Sequence, residues 1–165
     1  MLHVGTLLAV LVVYKDELLG MLIKPFSKKT MLMIIGTIPA VAAGLLFKDF
    51  FDDISKTGVT IGWEFLATGF ILWFAENVKK GAKRMEDITY TDAFIIGSFQ
   101  AAAIFPALSR SGLTIAAALF RKIDRETAAY FSFLLSTPAM FGGIILQGKD
   151  LFTGHSEAVT LTSLL

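Results

Sequence analysis

One arginine, set between two serines in an otherwise apolar run, is the residue best placed to do chemistry in this sequence. The run is Gln100-Ala101-Ala102-Ala103-Ile104-Phe105-Pro106-Ala107-Leu108-Ser109-Arg110-Ser111-Gly112-Leu113-Thr114. A guanidinium inside a membrane segment costs a few kcal/mol, so it is kept where it serves an anion or a wet cavity. The plainer alternative is that it snorkels to the surface or pairs with a helix-end carboxylate. Its neighbours favour the anion. Pro106 ends the helix before it, since it cannot donate to a continuing turn. Ser109 or Ser111 can cap the helix after it, and Gly112 lets the backbone approach a ligand closely. The free N–H groups at that helix start favour negative charge. With the planar Arg110 fork and the hydroxyls of Ser109, Ser111 and Thr114, the set reads as a phosphate receptor. Gln100, on the preceding arm, either hydrogen-bonds across to the second arm or lines the cavity.

The chain that must position these groups is built for lipid. Of its 165 residues 55% are hydrophobic and 18% charged, with mean hydropathy +0.67, 15 Phe and 14 Gly. Soluble domains carry about 25% charged residues, so a water-exposed surface this poor in charge would associate. A net charge of +1, with no basic run interleaved with aromatics, gives no reason to expect nucleic acid. The absence of Cys excludes disulfides, thiolate metal sites and a Cys nucleophile. The composition therefore predicts an all-α, polytopic integral membrane bundle.

The apolar segments come in series. Leu2–Tyr14 is shorter than the roughly 20 residues of a span and reads as a helix whose start is absent. Thr30–Phe47, Ile61–Ala75 and Ala128–Leu146 approach or reach spanning length, and 158–165 is turning apolar where the sequence stops. Asp92–Phe105 and Gly112–Phe120 are short arms flanking Ser109-Arg110-Ser111. Basic residues set the sides. Lys15, Lys24, Lys28 and Lys29 mark one loop as cytoplasmic, and Lys79, Lys80, Lys83 and Arg84 mark another. Lys48–Thr60, with two Lys beside Asp49, Asp52 and Asp53, reads as external. Arg121, Lys122 and Arg125 return to the cytoplasmic side, and Lys149 marks an external loop. Residues 92–120 must then leave and re-enter on one side, which predicts a re-entrant helical hairpin with Arg110 at its tip. Residues 1–165 form a single membrane domain on this reading, truncated at both ends. Pro39-Ala40-Val41-Ala42-Ala43-Gly44 resembles Pro138-Ala139-Met140-Phe141-Gly142-Gly143, which suggests either an internal repeat or the small residues of close helix packing.

Gln100 through Thr114 closely resembles the second signature of the undecaprenyl-diphosphate phosphatases, the bacitracin-resistance membrane phosphatases: Q-x-x-A-x-x-P-G-x-S-R-S-G-x-T. Leu2–Val10, Ile35–Ala40 and Phe131–Pro138 agree with the same family, so the resemblance covers essentially the whole chain. Ala107 stands where the family usually has Gly. The resemblance implies hydrolysis of undecaprenyl diphosphate to undecaprenyl phosphate and phosphate in the bacterial plasma membrane, recycling the lipid carrier of cell-wall synthesis. It implies an inverted repeat with two re-entrant hairpins, the second at 92–120. By carry-over, Arg110 would clamp the diphosphate, and Ser109, Ser111 and Thr114 would be catalytic hydroxyls. Gln100 and Gly112 would bind substrate. The family also implies a divalent cation such as Mg²⁺.

The resemblance has a gap. The family's first signature, E-G-x-T-E-F followed by S-S-T-G-H, is expected before Leu2 and has no equivalent here. It would carry the Glu pair, the catalytic His and the metal ligands, so no metal site is expected within this chain, and the piece alone is expected to be inactive. His3, on an apolar helix start, reads as a packed histidine, and His155 as solvated in an external loop. Glu64 and Glu76, near opposite ends of one helix, read as facing the interfaces rather than forming a catalytic pair. The rival class is a transporter or flippase for an anionic lipid or small anion, since carriers also bind anions at mid-membrane helix starts. Only catalysis needs the acid–base groups of the first signature. Nothing in the sequence sets an oligomeric state.

Overall fold

Several helix starts are marked by side chains that take up free backbone N–H groups. The computed structural model describes residues 2–105 and 107–152. Over them the chain forms α1 (Leu2–Val13), α2 (Lys15–Ile23), α3 (Lys28–Leu46), α4 (Lys48–Thr57), α5 (Ile61–Asn77), α6 (Tyr90–Ala102), α7 (Arg110–Phe120) and α8 (Arg125–Phe152). Ser27 accepts from Thr30 N at 3.3 Å and opens α3. Thr89 and Asp92 exchange side-chain and backbone bonds of 3.1 and 3.0 Å in a capping box that opens α6. Asp124 accepts from the amides of Glu126 and Thr127 and opens α8. The fold is all-α: among the described residues the sole β feature is an isolated bridge between Lys83 and Ile123.

α6 and α7 form an antiparallel hairpin wedged among α3, α5 and α8. Its base is clipped by charge. Asp92, fully buried at the start of α6, meets Lys83 Nζ at 3.1 Å and Arg121 Nε, just past the end of α7, at 2.6 Å. The tight face is α3 on α6. A Cβ on Gly97 would lie 2.1 Å from the Gly36 carbonyl oxygen, so these backbones meet only because neither residue has a side chain. Leu32, Ile96, Phe131, Leu134 and Leu135 fill the core beside this contact. The basic loops gather at the hairpin base. Lys28 Nζ donates to the Glu86 carbonyl, Lys29 to Tyr130 and Arg125 to Glu76.

α5 is inverted relative to a helix that faces water. It buries Glu64, Thr68 and Ala75, while Trp63 is 74% exposed and Phe65, Leu66, Phe70 and Trp73 all stand outward. Polar groups inside and aromatics outside suit a helix that faces lipid.

The structure revises the expected series of spans. Among the described residues one helix, α3, is both long and apolar enough to cross a membrane. The first run forms one helix of 12 residues, α1, and α5 has 17 residues. The hairpin arms are helices of 13 and 11 residues. Two segments read as loops are helical in large part. α2 occupies Lys15–Ile23, and α4 occupies Lys48–Thr57 and ends at Gly58, whose φ of 64° is left-handed. Charge in both hid an apolar spacing of three and four, such as Phe47, Phe50, Phe51 and Ile54. Pro106, His155 and the stretch 158–165 lie outside the described residues, as does the side chain of His3.

Candidate functional site

The hairpin turn, Ala103 to Ser109, places Arg110 at the first position of α7. Ser109, rather than Ser111, is the cap: its Oγ accepts from Gly112 N at 3.2 Å. Gly112 serves this cap. A Cβ there would meet Ser109 Oγ at 2.9 Å, so the missing side chain first makes room for the serine. Arg110 is half-buried, and among the described residues its guanidinium makes no hydrogen bond or ion pair. An uncommitted guanidinium fork at a helix N-terminus has the donors and the field to receive an anion. Ser111 is exposed beside it.

The other expected groups, Thr114 and Gln100, are buried. Thr114 is buried, and its hydroxyl meets Ser132 of α8 and the Arg110 carbonyl at 3.0 Å. That placement joins α7 to α8. Gln100 is 2% exposed on α6, and neither amide atom finds a partner among the described residues. Buried amides are nearly always bonded, so Gln100 stands out as a buried polar group with unused donors and acceptors.

Glu64 departs from its expected place at an interface. Its side chain is turned inward and holds the hairpin turn: Ala107 N donates to Oε2 at 2.7 Å, and Thr60 Oγ1 donates to Oε1 at 2.6 Å. One turn on, Thr68 Oγ1 receives Ser109 N at 3.4 Å and donates to the Glu64 carbonyl at 2.9 Å. The sequence signal was a Thr60, Glu64, Thr68 stripe at four-residue spacing on an otherwise apolar helix. Ala107 in place of Gly is accommodated: among the described non-glycine residues a positive φ occurs only at Lys122. Glu76 does stand at the surface, with Arg125 at 2.8 Å. On the far side of the turn, Phe51 of α4 meets Phe105 edge-on at 5.0 Å. An apolar groove of about 820 Å³ lies among α1, α2, α3 and α8, lined by residues such as Met21, Met33 and Phe141, and no tip residue lines it.

Three carboxylates around the hairpin already have partners. Glu64 is committed to Ala107 and Thr60, Glu76 to Arg125, and Asp92 to Lys83 and Arg121. No group of three ligating side chains occurs among the described residues.

Comparison with known proteins gives one consistent answer. The family model described as bacitracin resistance protein BacA matches residues 1–165. Undecaprenyl-diphosphatase 4 of Bacillus thuringiensis (strain Al Hakam) is 68% identical over 165 residues, covering 100% of this chain and 64% of that protein. The undecaprenyl-diphosphatase of Carboxydothermus hydrogenoformans is 48% identical over 150 residues, 91% of this chain and 58% of its own length. That of Halothermothrix orenii is 37% identical over 166 residues, 99% of this chain and 64% of the relative. The chain thus spans less than two thirds of the curated relatives it matches.

Proposed function

The chain belongs to the bacitracin resistance protein BacA family, and on that premise we propose that it carries half of the phosphate site of a membrane phosphatase acting on undecaprenyl diphosphate. The products are undecaprenyl phosphate and inorganic phosphate. The observation that carries this reading is Arg110: half-buried, without a partner among the described residues, and standing at the capped start of α7. Its five N–H donors can take a phosphate bidentately while the α7 amides face the same charge. In phosphoryl transfer the protein's main contribution is positioning and charge stabilisation, and an Arg in this place supplies both. Ser111, the exposed residue that follows Arg110, offers a hydroxyl to a phosphate oxygen. On this reading Mg²⁺ and the acid–base groups belong to the family's first signature, and the carboxylates nearest the hairpin, Glu64, Glu76 and Asp92, serve the fold.

The membrane reading places α5's aromatic face against lipid and the α6–α7 hairpin as a re-entrant element within a multi-pass, single-domain bundle of the bacterial plasma membrane. Arms of 13 and 11 residues rise about 20 and 16 Å, well short of a hydrocarbon core of about 30 Å. The gathering of Lys28, Lys83, Arg121 and Arg125 at the hairpin base supports a cytoplasmic base with the tip pointing away from it. The test uses the full-length native protein and undecaprenyl diphosphate. Arg110→Ala should lower phosphate release by at least about 10³-fold, the scale of a lost charge-stabilising donor, while the protein still inserts. Turnover within a few-fold of wild type would remove Arg110 from the reaction.

A further inference from the structure

We infer that Glu64 is a positioning residue of the phosphate site: it holds the hairpin turn in the conformation that leaves Arg110 free for an anion. The inference rests on the phosphatase reading for its effect on turnover, but its geometry stands apart from it. Glu64 is 7% exposed in the first turn of a helix that otherwise turns aromatics outward. A carboxylate in such a place is costly unless its oxygens are used, and both are. Oε2 takes the Ala107 amide and Oε1 the Thr60 hydroxyl.

Two consequences follow from this commitment. First, the turn between Ala103 and Ser109 has amides that no helix satisfies, and α5 supplies acceptors for two of them, at Ala107 and Ser109. The turn is therefore braced by a neighbouring helix, through charge-assisted bonding at Ala107. Second, a carboxylate bonded to Ala107, just before Arg110 in the chain, could have neutralised the guanidinium. It does not: no carboxylate lies within 4.0 Å of Arg110 among the described residues. With its oxygens already engaged, Glu64 fixes the turn and leaves the positive fork to the ligand. Glu64 touches no reacting atom on this account, so it acts through the backbone of residues 107–109.

The test measures steady-state phosphate release from undecaprenyl diphosphate and hydrogen–deuterium exchange over residues 103–113, both in the full-length native protein. Glu64→Ala should lower kcat by about 10- to 100-fold, the cost of misplacing a catalytic group by an ångström or so. KM should change little, because the Arg110 fork is retained. Exchange of the turn amides should quicken, while the α3–α6 contact stays protected. Glu64→Gln should restore kcat to within a few-fold of wild type, since its amide oxygen still accepts from Ala107 and the Thr60 hydroxyl can rotate to meet its NH₂ group. Unchanged exchange across the turn in Glu64→Ala would overturn the inference. So would a Glu64→Gln protein as impaired as Glu64→Ala, which would mean that the charge acts directly. If Glu64→Ala fails to fold, Glu64→Gln decides alone by the same two readouts. A wild-type protein that releases no phosphate would defeat the phosphatase reading, and the exchange measurement would still judge the brace.

Discussion

Arg110 and Glu64 mark the two ends of what single residues disclose. Arg110 stands out because a guanidinium in an apolar run has few uses, whereas composition leaves the cap between Ser109 and Ser111 and only the fold selects Ser109. Glu64 was harder to read. Its position in the chain places it near a helix end, where carboxylates commonly face water, and only the fold reveals that the hairpin turn lies beside it. Thr114 shows the converse. The signature sets it with the catalytic hydroxyls, and the fold adds what the signature does not show, a buried bond to Ser132 of α8. At this scale the planar fork can be separated from the charge. Arg110→Lys in the full-length protein keeps the charge and loses the bidentate geometry. It should stay impaired by at least about 10²-fold in phosphate release, the low end for a lost charge-stabilising donor. Recovery to within a few-fold of wild type would show that a point charge suffices and that the fork is incidental.

Helix boundaries were readable to within a few residues where caps and apolar periods agree, as at α3, α6 and α7. Pairing was not, because glycine is abundant in the sequence and only the structure tells Gly36 and Gly97 from Gly69. That distinction can be measured. A methyl group on Gly97 would sit 2.1 Å from the Gly36 carbonyl oxygen, so Gly97→Ala must part α3 from α6. Overpacking of this kind costs about 1–3 kcal/mol and more when backbone is the obstacle. Gly69→Ala meets nothing within 4 Å and should be neutral or stabilising by up to about 1 kcal/mol through helix propensity. Equal thermal stability of the two variants in detergent would refute the close approach. The start of α8 offers a pH test. Asp124, in the loop outside the helices of the hairpin, is held below its usual 3.8 chiefly by the Thr127 hydroxyl, 2.6 Å away, with the amides of Thr127 and Glu126 adding to it. A depressed carboxylate stabilises the fold above its unfolded pKa and loses that contribution as pH falls through the folded value. Asp124→Ala should cost about 0.5–2 kcal/mol near neutrality, and the gap from wild type should narrow as pH drops below 3.8. A gap that stays constant down to pH 2 would mean the cap works without its charge.

For the molecule as a whole, composition announced lipid before any helix was located, and the outward aromatics of α5 give that announcement a surface. Composition could not say which helices cross. Crossing depends on helix length and on how neighbours bury polar groups, and here one described helix meets the requirements of length and hydropathy by itself. The order of charged loops is more informative, because the same basic segments that predict one side also meet at the hairpin base. The chain has no cysteine, so single cysteines can report sidedness without background. Lys80 and Lys122 bracket the hairpin, and Lys56 lies on α4, whose Phe51 packs against Phe105 near the tip. If the hairpin enters and leaves on one face, Lys80→Cys and Lys122→Cys should share the same accessibility. In intact cells a membrane-impermeant maleimide should leave both unmodified and label Lys56→Cys; after permeabilisation all three should react. Labelling of Lys122→Cys but not Lys80→Cys in intact cells would mean that α6 and α7 together cross the bilayer, and the tip would then lose the enclosed setting that makes an unpaired Arg110 useful. The same three variants also fix the absolute orientation, since the basic end must face the cytoplasm if the positive charges govern insertion.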